Sequence, residues 1–407
     1  MRGMTETLTI GERVAWYRRR RGMSQEVLAG LVGRTTDWLS KVENNKIDLD
    51  RLSVIKALAD ALDVTIGDLL GEPSLMDWTA DARGRTVPAL REALMDYRQL
   101  TPLLRAIQAD ERPDLDDLHR QVGDVWTAYQ RSRYAYATRD LPTLLAQAQT
   151  AAQEHDGDER LRAHALLALT YQGAAMVLTK IGETDLAWIA ADRGLNAAQT
   201  SGDPLVIGSL FRSVTHCLLS NGRFAAAKQL TEDAAAYLQP GLSSASPEYL
   251  SIYGTLFLAG SVAAARSEDR ATTRAFLAEA DEAARRLGVD ANHLWTAFGP
   301  TNVAIHRVTA AMELGDVQIA LDQGPKIDAS ALPIERRVRH ALELARAYSA
   351  RNRVDKALST LLDAEQLAPE QVRYHFISRQ LVTSWVRQQR GKPSYQLAEL
   401  ARRLRVI

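Results

Sequence analysis

The chain has 407 residues, 50 Lys and Arg balanced by 50 Asp and Glu, 46% apolar and 6% aromatic residues, and one cysteine. That length gives room for two or three domains with their own cores, and abundant Ala, Leu and Arg with few aromatics favour helices. The single Cys217 excludes an internal disulfide framework and suits a reducing cytoplasm, no apolar run has the length of a membrane span, and the arginines at 18–21 lead into no apolar signal core, so neither membrane insertion nor export is expected.

Overall neutrality conceals a local polarity. Residues 1–46 carry nine Lys and Arg against five Asp and Glu, a balance of about +4, whereas residues 47–72 carry two against six, about −4. Such a module can turn one basic face to phosphates, although charge also fluctuates over windows this short. Five helical patterns fit within residues 8–71. The first starts near Thr9, faces inward with Ile10, Val14 and Tyr17, and stops at Gly22. Ser24 is the expected N-cap of the second, with Val27, Leu28 and Leu31 inward. Gly33 makes the turn, and Thr35 caps a third helix that carries Leu39 and Val42 and ends at Asn44 and Asn45. Asp50 is expected to cap the fourth and Thr65 the fifth.

Two short helices joined at Gly33, the second opening on small polar residues, are the arrangement that places side chains in a major groove. Gln25, Leu28, Ala29, Gly33, Val42 and Glu43 also stand at the spacing of the phage-repressor-like (XRE-type) helix-turn-helix family, which residues 8–71 resemble. The resemblance implies a five-helix domain in which Gln25 reaches a phosphate, Thr36, Asp37, Ser40 and Lys41 face the bases, and Thr35, Asn44 and Lys46 meet the backbone. It also implies an internal ion pair between Arg18 and Glu43. The chemistry agrees: Lys41 can donate to guanine O6 and N7, and Thr36 can touch a thymine methyl. Asp37 either accepts from cytosine N4 or simply favours the helix N-terminus. Trp38 is large for a reading helix and either packs on the sugar-phosphate edge or is buried, the latter being favoured.

Gly71, Pro73, Ser74 and residues 82–88 mark a boundary, so the domains are expected at 1–72 (helix-turn-helix), 73–112 (linker and connecting helix) and 113–407 (helical repeats). Beyond the boundary, long helical segments alternate with short breaks, and a turn residue is followed five positions on by a small or apolar one. Asp140 precedes Leu145, Gly182 Ala187, Gly222 Ala227, Gly315 Ala320 and Asn352 Ala357, with a degenerate member near Ser267 and Thr272. The spacing is that of a helix pair, which predicts an all-α solenoid of six pairs with terminal helices as a cap. The pattern resembles tetratricopeptide repeats stretched by longer helices.

First helices of such pairs line a concave groove that holds peptides or small molecules. In WTAFGPTNVAIHRV (295–308), Gly299-Pro300 falls inside an otherwise helical stretch and either kinks or breaks it or marks a helix start, with Asn302 and His306 then solvated or core polar residues. Asn302 and His306 follow at i,i+4 on one face and offer an amide and an imidazole to a polar ligand. Arg212, His216, Tyr253 and Tyr171 are further groove candidates. The 295–308 segment and LLDAEQLAPEQVR (361–373) resemble those of regulators from high-GC Gram-positive bacteria that join this kind of head to repeats.

Neither GxxxxGK[ST] nor GxGxxG occurs, the eight histidines show no metal-ligand spacing, and Cys217 has no activating neighbour in sequence. An enzyme, a cofactor and a metal are therefore not expected. The expected protein is a cytoplasmic regulator that binds a pseudo-palindromic duplex as a homodimer. Its repeats sense a peptide or small-molecule effector, as in the peptide-sensing regulators of Gram-positive bacteria that it is similar to. The alternative is an interaction adaptor whose repeats capture a partner protein, with DNA binding secondary.

Overall fold

The computed structural model describes residues 8–71, 86–96, 112–389 and 392–406, and it is all-α. Five helices form the N-terminal head: α1 (Ile10–Arg20), α2 (Gln25–Leu31), α3 (Thr36–Glu43), α4 (Leu52–Ala61) and α5 (Ile66–Leu70). Local chemistry sets their ends. Thr9 caps α1 in a reciprocal box with Glu12, and Thr65 caps α5 in the same way with Asp68. Ser24 and Thr35 accept the backbone N–H of Val27 and Trp38, the third residue of α2 and α3. Gly33 takes φ +63° in the turn, where a side chain would be strained. Ile10, Val14, Leu28, Leu39, Val42, Ile55, Leu58, Leu62 and Leu69 make the core. Gly11 is needed where α1 crosses α3, since a β-carbon there would stand 2.1 Å from the carbonyl oxygen of Val42.

Two expectations for the head fail. Val27 and Leu31 are exposed, at 52% and 61%, because α2 is only seven residues long and buries one stripe through Leu28 and Ala29. Asp50 does not cap α4: the N-cap position is Arg51, without a side-chain bond, and Asp50 instead pairs with Arg346 far along the chain.

Much of the expected linker lies outside the described residues, apart from α6 (Thr86–Met95), which buries Val87, Leu90 and Leu94. Six antiparallel pairs follow. Their first helices are α7 (Leu115–Gln130), α9 (Gly157–Lys180), α11 (Pro204–Ser220), α13 (Pro247–Arg266), α15 (Pro300–Glu313) and α17 (Ile334–Ala350). Their second helices are α8 (Tyr134–Glu154), α10 (Thr184–Ser201), α12 (Phe224–Leu238), α14 (Arg270–Leu287), α16 (Val317–Gln323) and α18 (Val354–Leu367). The chain closes with α19 (Pro369–Tyr374), α20 (Phe376–Gln388) and α21 (Tyr395–Arg403).

Each turn within a pair holds a left-handed residue: Ser132, Gly182, Gly222, Glu268, Gly315 and Asn352. Five residues on stand Ala137, Ala187, Ala227, Thr273, Ala320 and Ala357, all buried, where a small side chain lets the two helices close on each other. The expected break at Asp140 is therefore misplaced, and the degenerate member near Ser267 and Thr272 falls one residue later. Asp140 lies within α8, whose turn is at Ser132, and the fourth turn centres on Glu268. Sequence alone hid both because the left-handed residue there is Ser or Glu rather than Gly or Asn.

Successive first helices pack on one another, and the superhelix closes after six pairs. Ser132 Oγ donates to Gln371 Oε1 at 2.6 Å, and Ala135 N to Glu370 Oε2 at 3.0 Å. Trp126 of α7 stacks on Trp295, with centroids 5.1 Å apart and planes within 4°. Gln130 and Asn292 exchange side-chain hydrogen bonds of 2.8 and 2.9 Å. No helix among the described residues is long and apolar enough to cross a membrane.

Candidate nucleic-acid interface and buried polar cavity

The outward face of α3 is open. Thr35, Thr36, Asp37, Lys41, Asn44 and Lys46 are exposed, and Gln25 and Ser40 are half-buried. Beneath this face lies a buried fork: Arg18 Nε and Nη2 donate to Glu43 Oε1 and Oε2 at 2.6 and 2.8 Å. Gln25 Nε2 donates to Glu43 Oε2 at 2.7 Å, so the residue expected to reach a phosphate also ties α2 to α3. Asn44 Nδ2 donates to the carbonyl of Ser40 at 2.7 Å and closes the end of α3. Lys41 and Asp37 form an i,i+4 ion pair of 2.6 Å. Both are solvated, so the pair contributes at most about 1 kcal/mol and a stronger anion can take Lys41 from it. Trp38 is half-buried on the head's core, with the Arg34 guanidinium 5.6 Å from its ring centroid.

The opposite side of the head rests on the repeats. Arg346 Nε meets Asp50 Oδ2 at 3.0 Å, and Ser384 Oγ donates to Asp48 at 2.8 Å. Arg387 pairs with Glu12 at 2.5 Å, and Gln380 donates to the carbonyl of Leu49. Arg51 donates to the carbonyl of Glu313 at 3.0 Å and to Glu268 at 2.8 Å. Behind Arg346 a ladder of buried charge continues inward. Arg346 contacts Glu343 at 3.2 Å and Glu313 at 3.8 Å, Arg266 contacts Glu313 at 3.3 Å, and Arg339 contacts Glu343 at 2.8 Å. Sequence reading missed this contact. The trace it leaves is Glu335, Arg339, Glu343 and Arg346, charges spaced four, four and three along the buried stripe of one helix.

A cavity lies on the concave side, lined by first helices: Tyr129 and Gln130 of α7, Arg212 and His216 of α11, Thr255, Leu258 and Ala259 of α13, Asn302 and His306 of α15, and Glu335 and Arg336 of α17. Trp295, Thr296, Ala297 and Pro333 complete it. It is a small cleft that opens to solvent, with about 20 Å³ in which the centre of a water-sized sphere can lie. The structure thus brings together four of the six groove candidates and leaves two elsewhere. Tyr171 is buried between helices and accepts from Gln149 at 2.8 Å, and Tyr253 packs on Phe257. Their positions on first helices did not reveal which way each ring points. Of the two readings of Gly299-Pro300 the helix start holds: Gly299 is the N-cap and Pro300 the first residue of α15, where a missing N–H costs nothing. The segment before it is not helical through its length, and Leu294, Trp295 and Ala297 all have left-handed φ near 50°. Such backbone strain concentrates at ligand clamps and is held by its surroundings.

The cavity carries surplus positive charge. Burial pushes the Glu335 carboxyl up, but Arg336 at 2.6 Å and Lys180 at 2.5 Å outweigh it and hold the carboxylate ionised. Arg212 feels the Glu335 charge but forms no ion pair or hydrogen bond with it. Its Nε and Nη2 are buried without a protein acceptor, and burial draws its pKa down to about 10. His216 is held well below its ordinary value by burial and by Arg212, Arg336 and Lys180, and His306 is drawn down to about 3 by burial and Arg336. His306 Nδ1 lies 2.9 Å from the carbonyl of Asn302, which only accepts, so that nitrogen carries the proton and Nε2 is the acceptor. Asn302 Nδ2 donates to the carbonyl of Ala297 at 2.9 Å, leaving Oδ1 buried without a partner.

These histidines set a pH dependence. His306 stays neutral in the fold and binds a proton in the unfolded chain below about pH 6.5. The unfolded state therefore takes up more protons as pH falls toward 3. Unfolding free energy is expected to fall on acidification from about pH 7 to 5, by up to about 1.4 kcal/mol per pH unit for such a group. Denaturant titrations of the parent and His306→Gln check this. The substitution should flatten the slope, and equal slopes would remove His306 from the account.

Among the described residues no group of His, Cys, Asp and Glu is placed to hold a metal. Cys217 is fully buried, and burial raises its thiol to about 11. Residues 9–71 match the family model of the helix-turn-helix domain, a match that ends with α5 and does not extend into the repeats. No curated protein and no solved structure matches the chain.

Proposed function

We propose that the chain is a sequence-specific DNA-binding transcriptional regulator whose helical repeats, akin to tetratricopeptide repeats, bind an effector in the concave cavity. The helix-turn-helix domain at residues 9–71 suggests a DNA-binding regulator, and the observation that carries the reading is the exposed face of α3 above it. Thr36, Asp37, Ser40 and Lys41 then address base edges, while Gln25, Thr35, Asn44 and Lys46 set the register on phosphates. One such head makes few base contacts, so two chains on a pseudo-palindromic duplex belong to the same reading.

The effector acts through α15 and α17. Each bears cavity residues at its N-terminal end, Asn302 and His306 on one and Glu335 and Arg336 on the other. Each meets the head toward its C-terminal end, through the Glu313 carbonyl on Arg51 and the Arg346 guanidinium on Asp50. The ends of α15 are about 20 Å apart at 1.5 Å per residue. A small shift of either helix on ligand binding moves the seat of Asp50 and Arg51, and with it the angle of α3 to a second head.

The test is duplex binding to fragments of the promoter region beside the gene, measured against salt. Binding should weaken steeply with salt, as expected for phosphate neutralisation. Lys41→Ala should cost about 1–3 kcal/mol of affinity and relax base preference at one position. Lys46→Ala should instead weaken all duplexes alike. Duplex affinity that ignores salt and both substitutions would remove DNA from the function.

A further inference from the structure

Arg212 is the cavity's most informative residue. It is 6% exposed, on the first helix of the third pair, and two of its guanidinium nitrogens have no protein acceptor. The Glu335 carboxylate attracts Arg212 through space but makes no hydrogen bond to it, and a buried cation with unmade hydrogen bonds is costly and persists where another function requires it. The free nitrogens are Nε and Nη2, the side-on edge of the guanidinium. This chain uses that same edge to hold carboxylates elsewhere: Arg18 on Glu43, Arg139 on Asp140, Arg336 on Glu335 and Arg403 on Glu365. Glu335, the carboxylate lining the cavity, is taken by Arg336 and Lys180. Asn302 Oδ1 is a buried acceptor without a donor, and His306 Nε2 is a second acceptor. The cavity thus offers an unused bidentate cation beside unused acceptors.

We propose that this cavity recognises a carboxylate, held side-on by the Arg212 fork, on a ligand that also carries a hydroxyl, ammonium or amide donor for Asn302 and His306. This deepens the effector reading and rests on it for its consequence, though not for its chemistry. The class includes free hydroxy or amino acids and the C-terminus of a peptide, which share this pair of groups. The planar fork with two parallel N–H bonds matches the two oxygens of a carboxylate and fixes how the remainder of the ligand is oriented.

The experiment uses the full chain without DNA. Propionate, lactate, trialanine, trialanine amide, inorganic phosphate and chloride are titrated while melting temperature and tryptophan emission are followed, Trp295 being in the cavity wall. Lactate or trialanine should give a saturable rise in melting temperature and a change in emission, with propionate weaker and chloride inert. A response to trialanine that is lost with its amide assigns the source to a peptide terminus. A response to lactate alone assigns it to a free acid. Arg212→Met removes the unpaired charge at similar length, so its melting temperature without ligand should equal or exceed the parent's, and its carboxylate response should vanish. Arg212→Lys keeps the charge but not the fork and should bind at least about tenfold more weakly, the loss of one good charge-assisted contact. A response retained in both variants, a response to phosphate alone, or none to any carboxylate overturns the proposal. Carboxylate binding without salt-dependent duplex binding leaves the site standing and defeats the regulator reading; duplex binding without a carboxylate response does the reverse.

Discussion

Arg346→Ala is expected to lower the unfolding free energy by about 3–5 kcal/mol, the loss seen when one partner is removed from a buried ion group. Arg346 is 1% exposed, and Glu313 and Glu343 beside it are 1% and 0% exposed. The substitution takes one cation from a buried group in which Glu313 keeps only Arg266 and Glu343 only Arg339, leaving a net buried negative charge, and it removes the partner of Asp50 in the head. Two measurements check it. The denaturant midpoint should fall, and small-angle scattering should show an enlarged particle as the head leaves its seat. Replacing the whole group, Arg346, Glu313, Glu343, Arg266 and Arg339, by apolar residues should recover much of the loss, because the cost lies in uncompensated buried charge rather than in a missing attraction. An Arg346→Ala chain that melts with the parent would mean that water reaches this ladder and that the head is not held through it.

Arg18→Ala should have an effect of the same size, about 3–5 kcal/mol, confined to the head. The Glu43 side chain is 3% exposed and would keep only the Gln25 amide as a partner. The fork joins α1 to α3, and Gln25 joins α2 to the same carboxylate, so the three helices that present the reading face share one charged centre. Circular dichroism should show early loss of the head's helices, and duplex binding should fail at temperatures where the repeats remain folded. Arg18→Ala with unchanged duplex affinity would reduce the fork to a decorative contact and leave the apolar core to position α3.

The cavity variants act in the opposite direction on stability. Removing Arg346 or Arg18 leaves a partner unpaired, whereas Arg212 has no protein carboxylate to strand. A chain that gains stability on losing Arg212 is trading stability for a site, the usual relation between function and fold.

Local elements were legible because their causes are local. Thr9, Ser24, Thr35 and Thr65 cap helices through bonds to the residue three positions on, and Gly33 makes its turn by its own conformational freedom. The pairing of Arg18 with Glu43 is one that the resemblance of residues 8–71 to phage-repressor-like helix-turn-helix domains implies. Breaks at Gly182, Gly222, Gly315 and Asn352 announce themselves by residue type, whereas those at Ser132 and Glu268 do not. Asn302 and His306 share a helix face by arithmetic, and Arg212 and His216 do the same on α11.

What the chain's order could not disclose is how distant surfaces meet. That Arg212, 90 residues before Asn302 in the numbering, faces the same cavity depends on the superhelix closing until α7 meets α17. The curvature is a sum of small rotations at every helix contact, each set by side-chain volume on both sides, and no single segment encodes it. The same holds for Asp50, whose position before a helix suggests a cap but whose carboxylate is drawn away by Arg346, because a desolvated cation attracts it more strongly than a solvated backbone N–H does. Sequence alone determined the helices, most of their caps, the exposed polar face of α3 and most of the repeat rhythm. Tertiary packing decided which polar groups were left without partners, and burial is what turns such a group from an ordinary side chain into a binding site.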